Sequence, residues 1–211
     1  LIMYHLQMIT SLRLNQIFIF EALGLDGLRL LEKVMKTVSD DIPIIIDAKR
    51  GDIGNTAKMQ ARFIYDYFNA DATTLHPYMG SDSVYPFFEY KDKFNFVLVL
   101  TSNPSHIDFE ILKLDNDRPL YEKVLTKCYE WQLKFNNVGC VVGATHEGLE
   151  DIRSLNKSLL FLLPGVGAQG AKYTDVYSQA QNSDGLCLIN VSRGLMYADR
   201  FDQSVIDSII I

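Results

Sequence analysis

Residues 42–57 read IPIIIDAKRGDIGNTA, and this stretch indicates both a fold class and a place for chemistry. Its first residues are apolar and mostly β-branched, which predicts a buried strand. Side chains alternate along a strand, so Asp47 and Lys49 are expected to project from the same face. Asp52 follows Gly51, where the chain is expected to turn. The end of one buried strand is therefore predicted to carry an acid, a base and a second acid.

These charges allow more than one interpretation. A structural ion pair is the simpler explanation of Asp-x-Lys alone, but the third charge, the glycine and the position at a strand end favour a functional site. The letters Arg50-Gly51-Asp52 also form the cell-adhesion tripeptide. Three residues recur often by chance and no secretory context supports that interpretation, so it is disfavoured.

Apolar runs alternate with amphipathic stretches along the chain, which predicts an α/β fold of parallel strands joined by right-handed crossovers. A (β/α)8 TIM barrel has eight such units and this chain offers seven, so we predict a barrel whose first strand is missing from the chain. Residues 1–211 are predicted to form a single domain, with residues 102–118 as a strand-end loop. The predicted strands span residues 17–20, 42–49, 72–75, 94–100, 138–142, 159–163 and 186–191; the predicted helices span residues 25–38, 56–68, 82–89, 120–135, 149–155, 173–181 and 201–211.

The composition is typical of a globular protein with one sizeable core, since 48% of the 211 residues are hydrophobic and 22% are charged. The formal net charge of −6 argues against general binding to nucleic acids or membrane surfaces, which reward a basic face. No apolar run reaches the ~18 residues of a membrane span, and no signal peptide is recognised. Three cysteines without a close pair indicate a reducing compartment and no zinc site, so the predicted location is the cytoplasm.

Two further clusters follow predicted strands near the C-terminus. Residues 164–170 read PGVGAQG, and glycines between a strand and a helix let backbone N–H groups converge on an anion. The dinucleotide fingerprint G-x-G-x-x-G also fits, but it belongs to a first strand with an acidic residue ~20 positions later, so it is disfavoured here. Residues 190–194 read NVSRG, where the planar fork of Arg193 suits phosphate. Together they predict a phosphate site, with a plain glycine turn and an unliganded surface arginine as the alternatives.

The pattern formed by Asp47, Lys49, Asp52, Ile53 and Thr56 resembles the signature of the orotidine 5′-monophosphate decarboxylase family. Its full form, DAKRGDIGNTA, is similar to the subgroup found in many bacteria and in apicomplexan parasites. The resemblance implies decarboxylation of orotidine 5′-monophosphate to uridine 5′-monophosphate without a metal or an organic cofactor. It assigns Asp47, Lys49 and Asp52 to catalysis. It also implies a homodimer in which Asp52 and Thr56 reach into the neighbouring subunit's site.

The same resemblance assigns residues to nucleotide binding. Ser102 would read the polar edge of the pyrimidine with Asn103 as its support, Gln169 would contact both phosphate and pyrimidine, and Arg193 would bind the phosphate. An orotate phosphoribosyltransferase, fused or associated, is an expected partner. The full expected set is Thr56, Ser102, Asn103, Pro164, Gly167, Gln169, Ser192 and Arg193.

Some features depart from the family pattern. The family's first strand ends in a ribose-binding aspartate, and that strand is expected to lie before Leu1. Its second strand ends in a lysine, and Arg13 is the residue nearest that position, although arginine does not reproduce a compact ammonium. His76, where the family more often has asparagine, is interpreted as structural. Two other functions stay open: a Mg²⁺-dependent sugar-phosphate decarboxylase or aldolase on the same barrel, and a non-catalytic nucleotide-binding barrel.

Overall fold

The computed structural model describes residues 13–144, 148–165 and 173–191. Strands and helices alternate along these residues, as the apolar periodicity predicts. A π-helical turn, Phe63–Tyr67, extends the third helix, and a 3₁₀ helix, Pro104–Asp108, lies in the loop after the fourth strand. The strands are β1 Arg13–Gln16, β2 Ile44–Arg50, β3 Ala72–Leu75, β4 Phe94–Leu100, β5 Val138–Val142, β6 Phe161–Pro164 and β7 Leu188–Asn190; the α-helices are α1 Ile17–Glu21, α2 Gly24–Thr37, α3 Gly54–Arg62, α4 Ser81–Phe88, α5 Leu120–Phe135, α6 Leu149–Leu155 and α7 Tyr173–Ala180.

A first compact unit contains the described residues up to Leu98 together with Leu133–Val138. Its strands pair in parallel and in chain order, with Ile45 opposite Ala72 and Ala72 opposite Phe94. Strand β2 is buried on both faces, which is why its sequence is a continuous apolar run rather than an alternating one. Ile45 and Ile46 are buried, and so are Ala57 and Ala61 of α3. This core fixes the end of β2, where the charged residues begin.

A second compact unit contains Val99–Gln132 and the described residues from Gly139 onward. Strands β5, β6 and β7 pair in parallel, with Cys140 opposite Phe161 and Leu162 opposite Leu188. The loop after β4 is tied back by hydrogen bonds from the N–H groups of Leu120 and Tyr121 to the carbonyls of Leu112 and Glu110. The predicted loop is therefore present, but it has defined backbone pairing of its own.

Arg153 of α6 is a buried cation in the second unit. Its guanidinium donates to the carbonyls of Asn156, Leu159 and Ala180, and its Cζ lies 3.5 Å from the centre of the Phe161 ring. The carbonyls of Asn156 and Ala180 lie at the C-terminal ends of α6 and α7 and carry partial negative charge, so they can hold a cation without a carboxylate. Burial lowers the pKa of the Arg153 guanidinium to about 10. No sequence pattern indicates the role of Arg153, because its partners lie in separate loops and helix ends.

The α/β class and the strand–helix order are confirmed, but the first predicted strand is wrong. Residues 17–20 form most of α1, and the strand is β1, one element earlier. Parallel pairing of β1 with β2 ends at Gln16 opposite Asp47. Within the helix α1 that follows, Ile17 is the one buried residue, whereas Phe18 and Ile19 are 47% and 61% exposed. Four consecutive apolar residues have no period that distinguishes a short strand from a helix.

The remaining elements lie within a few residues of their predicted bounds. The predicted helix 56–68 begins at Gly54 and ends in the π-helical turn. The predicted helix 201–211 lies outside the described residues, and the single domain over residues 1–211 stays a prediction. In the described part of the chain, none of the helices combines the length and the apolar character that crossing a membrane would need.

Candidate active site

The end of β2 contains a bulge that the alternation rule did not predict. Ile46 lies opposite Thr73 on β3, and the next paired residue, Arg50, lies opposite Leu75. Three residues of β2, at positions 47–49, therefore face Thr74 alone. Bulges of this kind redirect side chains and occur next to active sites. Here the bulge contains Asp47 and Lys49, two of the three residues that the family resemblance assigns to catalysis.

Asp47 and Lys49 are brought together, as predicted. The Lys49 Nζ lies 2.6 Å from both Oδ1 and Oδ2 of Asp47. The Asp47 side chain is only 8% exposed, whereas that of Lys49 is 42% exposed. Charge-assisted contacts of this length are strong when one partner is buried. The Lys49 ammonium is therefore accessible to solvent, while the Asp47 carboxylate that pairs with it is buried.

Thr74 of β3 contacts both residues of this pair. Its Oγ1 donates to Asp47 Oδ1 at 2.6 Å and accepts a hydrogen bond from the backbone N–H of Lys49 at 3.0 Å. Thr74 itself is buried. No local sequence pattern indicates Thr74, because its contact depends on the pairing of β2 with β3, and Lys49 and Thr74 are 25 residues apart in the chain.

Lys49 has a left-handed backbone conformation, with φ of 43°. This region is sterically unfavourable for a residue with a Cβ atom, and occupying it costs on the order of 1–3 kcal/mol. Such strain persists only where the surrounding structure imposes it, and it concentrates at functional sites. The strained residue here is also one of the three that the family resemblance assigns to catalysis.

The turn after β2 is packed closely against the end of β3. A Cβ atom added to Gly51 would lie 2.9 Å from the carbonyl oxygen of His76, which explains why glycine occupies the position. The His76 N–H donates to the Arg50 carbonyl at 2.7 Å. His76 Nδ1 accepts the N–H of Tyr78 at 3.3 Å, a local contact within the turn that follows β3.

Asp52 and Thr56 lie further along the chain than the Asp47–Lys49 pair. The Asp52 Oδ1 accepts the N–H of Ile53 at 2.7 Å, and the side chain is partly exposed. Within the described ranges Asp52 forms no ion pair. Thr56 is exposed in the first turn of α3, and Ile53 just before this helix is exposed as well. Both predicted residues are thus on the surface of the described structure.

A second ion pair supports the other side of the β2 end. The Arg50 guanidinium pairs with the Glu21 carboxylate at the end of α1, and its Cζ lies 5.3 Å from the centre of the Phe18 ring. Both side chains are partly buried, which makes the pair less screened than a surface ion pair. Arg50 belongs to the conspicuous motif, so its presence was visible, but its partner 29 residues earlier was not.

The register of β1 against β2 shows where Arg13 lies along its strand. Arg13 lies opposite Ile44 at the beginning of β1, three register positions before the strand ends. Gln16 is the residue paired with Asp47. Arg13 is therefore not the last residue of β1, which continues for three residues past it.

The predicted residues of the second unit are described in part. Ser102 is partly exposed and Asn103 is exposed at the beginning of the loop after β4. Glu110 fixes this loop, because it accepts the N–H of Thr101 at 2.7 Å and its Oε1 lies 2.7 Å from the Thr101 hydroxyl. Pro164 ends β6 opposite Asn190 and is partly exposed. Gly167, Gln169, Ser192 and Arg193 lie outside the described residues.

No group of three or more His, Cys, Asp or Glu side chains within residues 13–144, 148–165 and 173–191 is placed to hold a metal ion. The chemistry open to the described site is that of a lysine ammonium above a buried carboxylate. Such a pair can stabilise a developing negative charge and can supply a proton to it.

Comparison with known proteins identifies relatives over most of the chain. The profile described as the Orotidine 5′-phosphate decarboxylase / HUMPS family matches residues 16–205. The chain is 44% identical over 184 residues to an orotidine 5′-phosphate decarboxylase of Dehalococcoides mccartyi, which covers 85% of this chain and 68% of that protein.

Solved structures similar to this chain include proteins of the same name and a longer enzyme. The OMP decarboxylase of Leishmania donovani is similar with a TM-score of 0.85 and 38% identity, over 93% of this chain and 77% of that chain. The UMP synthase of the same organism is similar with a TM-score of 0.88 and 38% identity, over 96% of this chain and 47% of that chain. The predicted (β/α)8 TIM-barrel class is confirmed by this likeness.

Proposed function

Because this chain belongs to the orotidine 5′-phosphate decarboxylase family, we propose that the Asp47–Lys49 pair performs the chemistry of its reaction. The activity itself follows from the family and the relatives: orotidine 5′-monophosphate loses carbon dioxide to give uridine 5′-monophosphate, a step of UMP biosynthesis. The observation that carries the residue assignment is the contact of Lys49 Nζ with both oxygens of the buried Asp47 carboxylate, at 2.6 Å each.

Lys49 is proposed as the proton donor. When the bond between the pyrimidine ring and its carboxylate breaks, the bonding electron pair stays on the ring carbon in the plane of the ring. No neighbouring group of the ring can delocalise that pair. The Lys49 ammonium is partly exposed, so it can lie against that carbon, stabilise the charge and then donate its proton. The products are carbon dioxide, the protonated ring and a neutral lysine.

Asp47 is proposed to have two effects on this step. Its carboxylate holds the Lys49 ammonium in place through their ion pair. It also places a negative charge where the substrate carboxylate would lie, and a repulsion that disappears on loss of carbon dioxide lowers the barrier. Its burial prevents water from screening either effect.

The remaining roles are proposed from the family resemblance. Asp52 and Thr56 reach the site of a neighbouring subunit in a homodimer, and their exposed positions are compatible with that role. Ser102 reads the polar edge of the pyrimidine with Asn103 as its support, Gln169 contacts both phosphate and pyrimidine, and Arg193 binds the phosphate. Pro164, Gly167 and Ser192 complete the proposed substrate-binding set. No metal or organic cofactor takes part. Binding of the distant phosphate would lower the chemical barrier by enclosing the pyrimidine.

The cellular setting is proposed in the same way. We place the enzyme in the cytoplasm with an orotate phosphoribosyltransferase fused to it or associated with it. The matched UMP synthase supports the second point, because a domain similar to this chain makes up 47% of that longer enzyme.

One assay separates the proposed chemistry from its rivals. Full-length protein is incubated with orotidine 5′-monophosphate, with and without a chelator, and the loss of substrate absorbance is recorded. We expect equal turnover in both samples. Turnover that the chelator abolishes would instead favour the Mg²⁺-dependent rival. Binding of uridine 5′-monophosphate without any turnover would favour the non-catalytic barrel.

A further inference from the structure

We propose that Thr74 is a positioning residue for the Asp47–Lys49 pair. This inference rests on the roles proposed for those two residues and adds a third residue that holds both of them. Thr74 is buried, and we do not expect it to contact the substrate. It acts through one hydroxyl group.

The bulge makes the hydroxyl necessary. Where positions 47–49 face Thr74 alone, the Lys49 N–H donates to Thr74 Oγ1 and not to a carbonyl of β3. An N–H left without an acceptor at this part-buried position would be unfavourable, and the Thr74 hydroxyl accepts its hydrogen bond in place of a backbone carbonyl. The Thr74 hydroxyl thus supplies one hydrogen bond between β2 and β3 at the point where the bulge interrupts their backbone hydrogen bonds.

The same hydroxyl has only one direction left for its hydrogen. Because its oxygen accepts the Lys49 N–H, the hydrogen points to Asp47 Oδ1 at 2.6 Å. That oxygen also receives the Lys49 ammonium at 2.6 Å. Lys49 is therefore held at both ends, by its backbone to Thr74 and by its ammonium to the carboxylate that Thr74 also holds.

Loss of the hydroxyl would release both contacts together. Thr74 is 2% exposed, so solvent has little access to replace its group. Lys49 has an unfavourable φ of 43°, and without its acceptor this backbone is free to relax. A shift of about 1 Å in a catalytic group can cost on the order of 100-fold in rate. Binding of the nucleotide depends on other residues and should change little.

The neighbouring residue on β3 provides a matched control. Thr73 is also buried, and its hydroxyl donates to the Ile46 carbonyl at 2.8 Å. It contacts neither Asp47 nor Lys49 through that group. Thr73→Val therefore removes a buried threonine hydroxyl from the same strand without touching the pair.

The test measures kcat and KM for orotidine 5′-monophosphate in Thr74→Val, Thr74→Ser and Thr73→Val, with thermal unfolding of each. We expect Thr74→Val to lower kcat about 10- to 100-fold with KM within about threefold. Thr74→Ser, which keeps the hydroxyl, and Thr73→Val should keep kcat within about threefold. If Thr74→Val is not recovered folded, Thr74→Cys replaces it, because a thiol keeps the volume with only a weak donor.

Two results would overturn the proposal in distinguishable ways. If Thr74→Val keeps the kcat of Thr73→Val while Lys49→Ala is inactive, the positioning role is wrong and the catalytic assignment stands. If Lys49→Ala itself turns over near the parent rate, the catalytic assignment fails and the role of Thr74 fails with it.

Discussion

Lys49 combines a backbone strained by its position with a side chain paired to a buried acid. Replacing Lys49 by alanine removes the paired side chain and leaves the backbone position in place. We expect Lys49→Ala to abolish turnover while binding of uridine 5′-monophosphate survives, because the ammonium serves the reacting carbon and not the phosphate. A steady-state assay measures turnover, and calorimetric titration measures binding of uridine 5′-monophosphate. Lys58→Ala, on the exposed face of α3, is the control. Turnover within tenfold of the parent would refute the assignment.

Arg153 illustrates a residue whose charge serves the fold. Arg153→Met keeps most of the length but leaves the carbonyls of Asn156, Leu159 and Ala180 without their donor. We expect the free energy of unfolding to fall by about 3 kcal/mol, as is usual when buried partners of a charged group lose it. Urea denaturation measures the loss. Arg29→Met, in an exposed pair with Asp26, should change stability by less than about 1 kcal/mol.

At the scale of elements, sequence patterns located the strands well where turn residues flank an apolar run. Strands β3, β4 and β5 begin and end at the predicted residues. The run at residues 17–20 failed because apolar character alone does not distinguish strand from helix. The bulge at positions 47–49 was not predictable, because it depends on how β2 registers with β3. Asp47 and Lys49 were nevertheless recognised, since their identity and spacing are local.

The contact between the β2 turn and the end of β3 is an element-scale constraint. Gly51→Ala would place a Cβ atom 2.9 Å from the His76 carbonyl oxygen, so the two segments must separate. We expect a loss of about 1–3 kcal/mol in stability, as overpacking usually costs, together with reduced kcat. Thermal unfolding and the decarboxylation assay measure both. Gly24→Ala is the comparison variant: a Cβ there meets nothing within 4 Å, so it should lose stability only through its left-handed φ of 65° and should keep kcat. Unchanged kcat in Gly51→Ala would contradict the constraint.

At the scale of the whole molecule, the proposed homodimer can be tested by mixing. Lys49→Ala and Asp52→Ala subunits, each inactive alone, should restore activity to one another if Asp52 serves the neighbouring site. Random exchange of equal amounts makes about half of the dimers hybrid, so about a quarter of all sites would be intact. Recovery of about that fraction supports a shared site. No recovery, with exchange shown by mass spectrometry, would place Asp52 beside Lys49 of its own chain.

Alkaline stability offers a second whole-molecule test. Burial raises the pKa of the Cys187 thiol to about 12 from an ordinary value of 9.0. The folded state therefore binds more protons than the unfolded state above pH 9, and stability falls as pH rises. Through Cys187 the free energy of unfolding should fall by about 1.4 kcal/mol between pH 8 and pH 10. The measurement is urea denaturation in reductant at both pH values. Between them, the free energy of unfolding should fall by about 1.4 kcal/mol less in Cys187→Ala than in the parent protein. Equal falls in the two proteins would refute the prediction.

The bulge in β2 has a consequence for how this site can change through evolution. Pairing before it, at Ile46 with Thr73, and after it, at Arg50 with Leu75, fixes the strand on both sides. Substitutions at positions 47 and 49 can therefore vary the chemistry while the register of the sheet stays the same. An insertion or deletion within the bulge would disturb both at once. New reactions on this scaffold should accordingly arise here by exchange of side chains, with the length of the segment preserved.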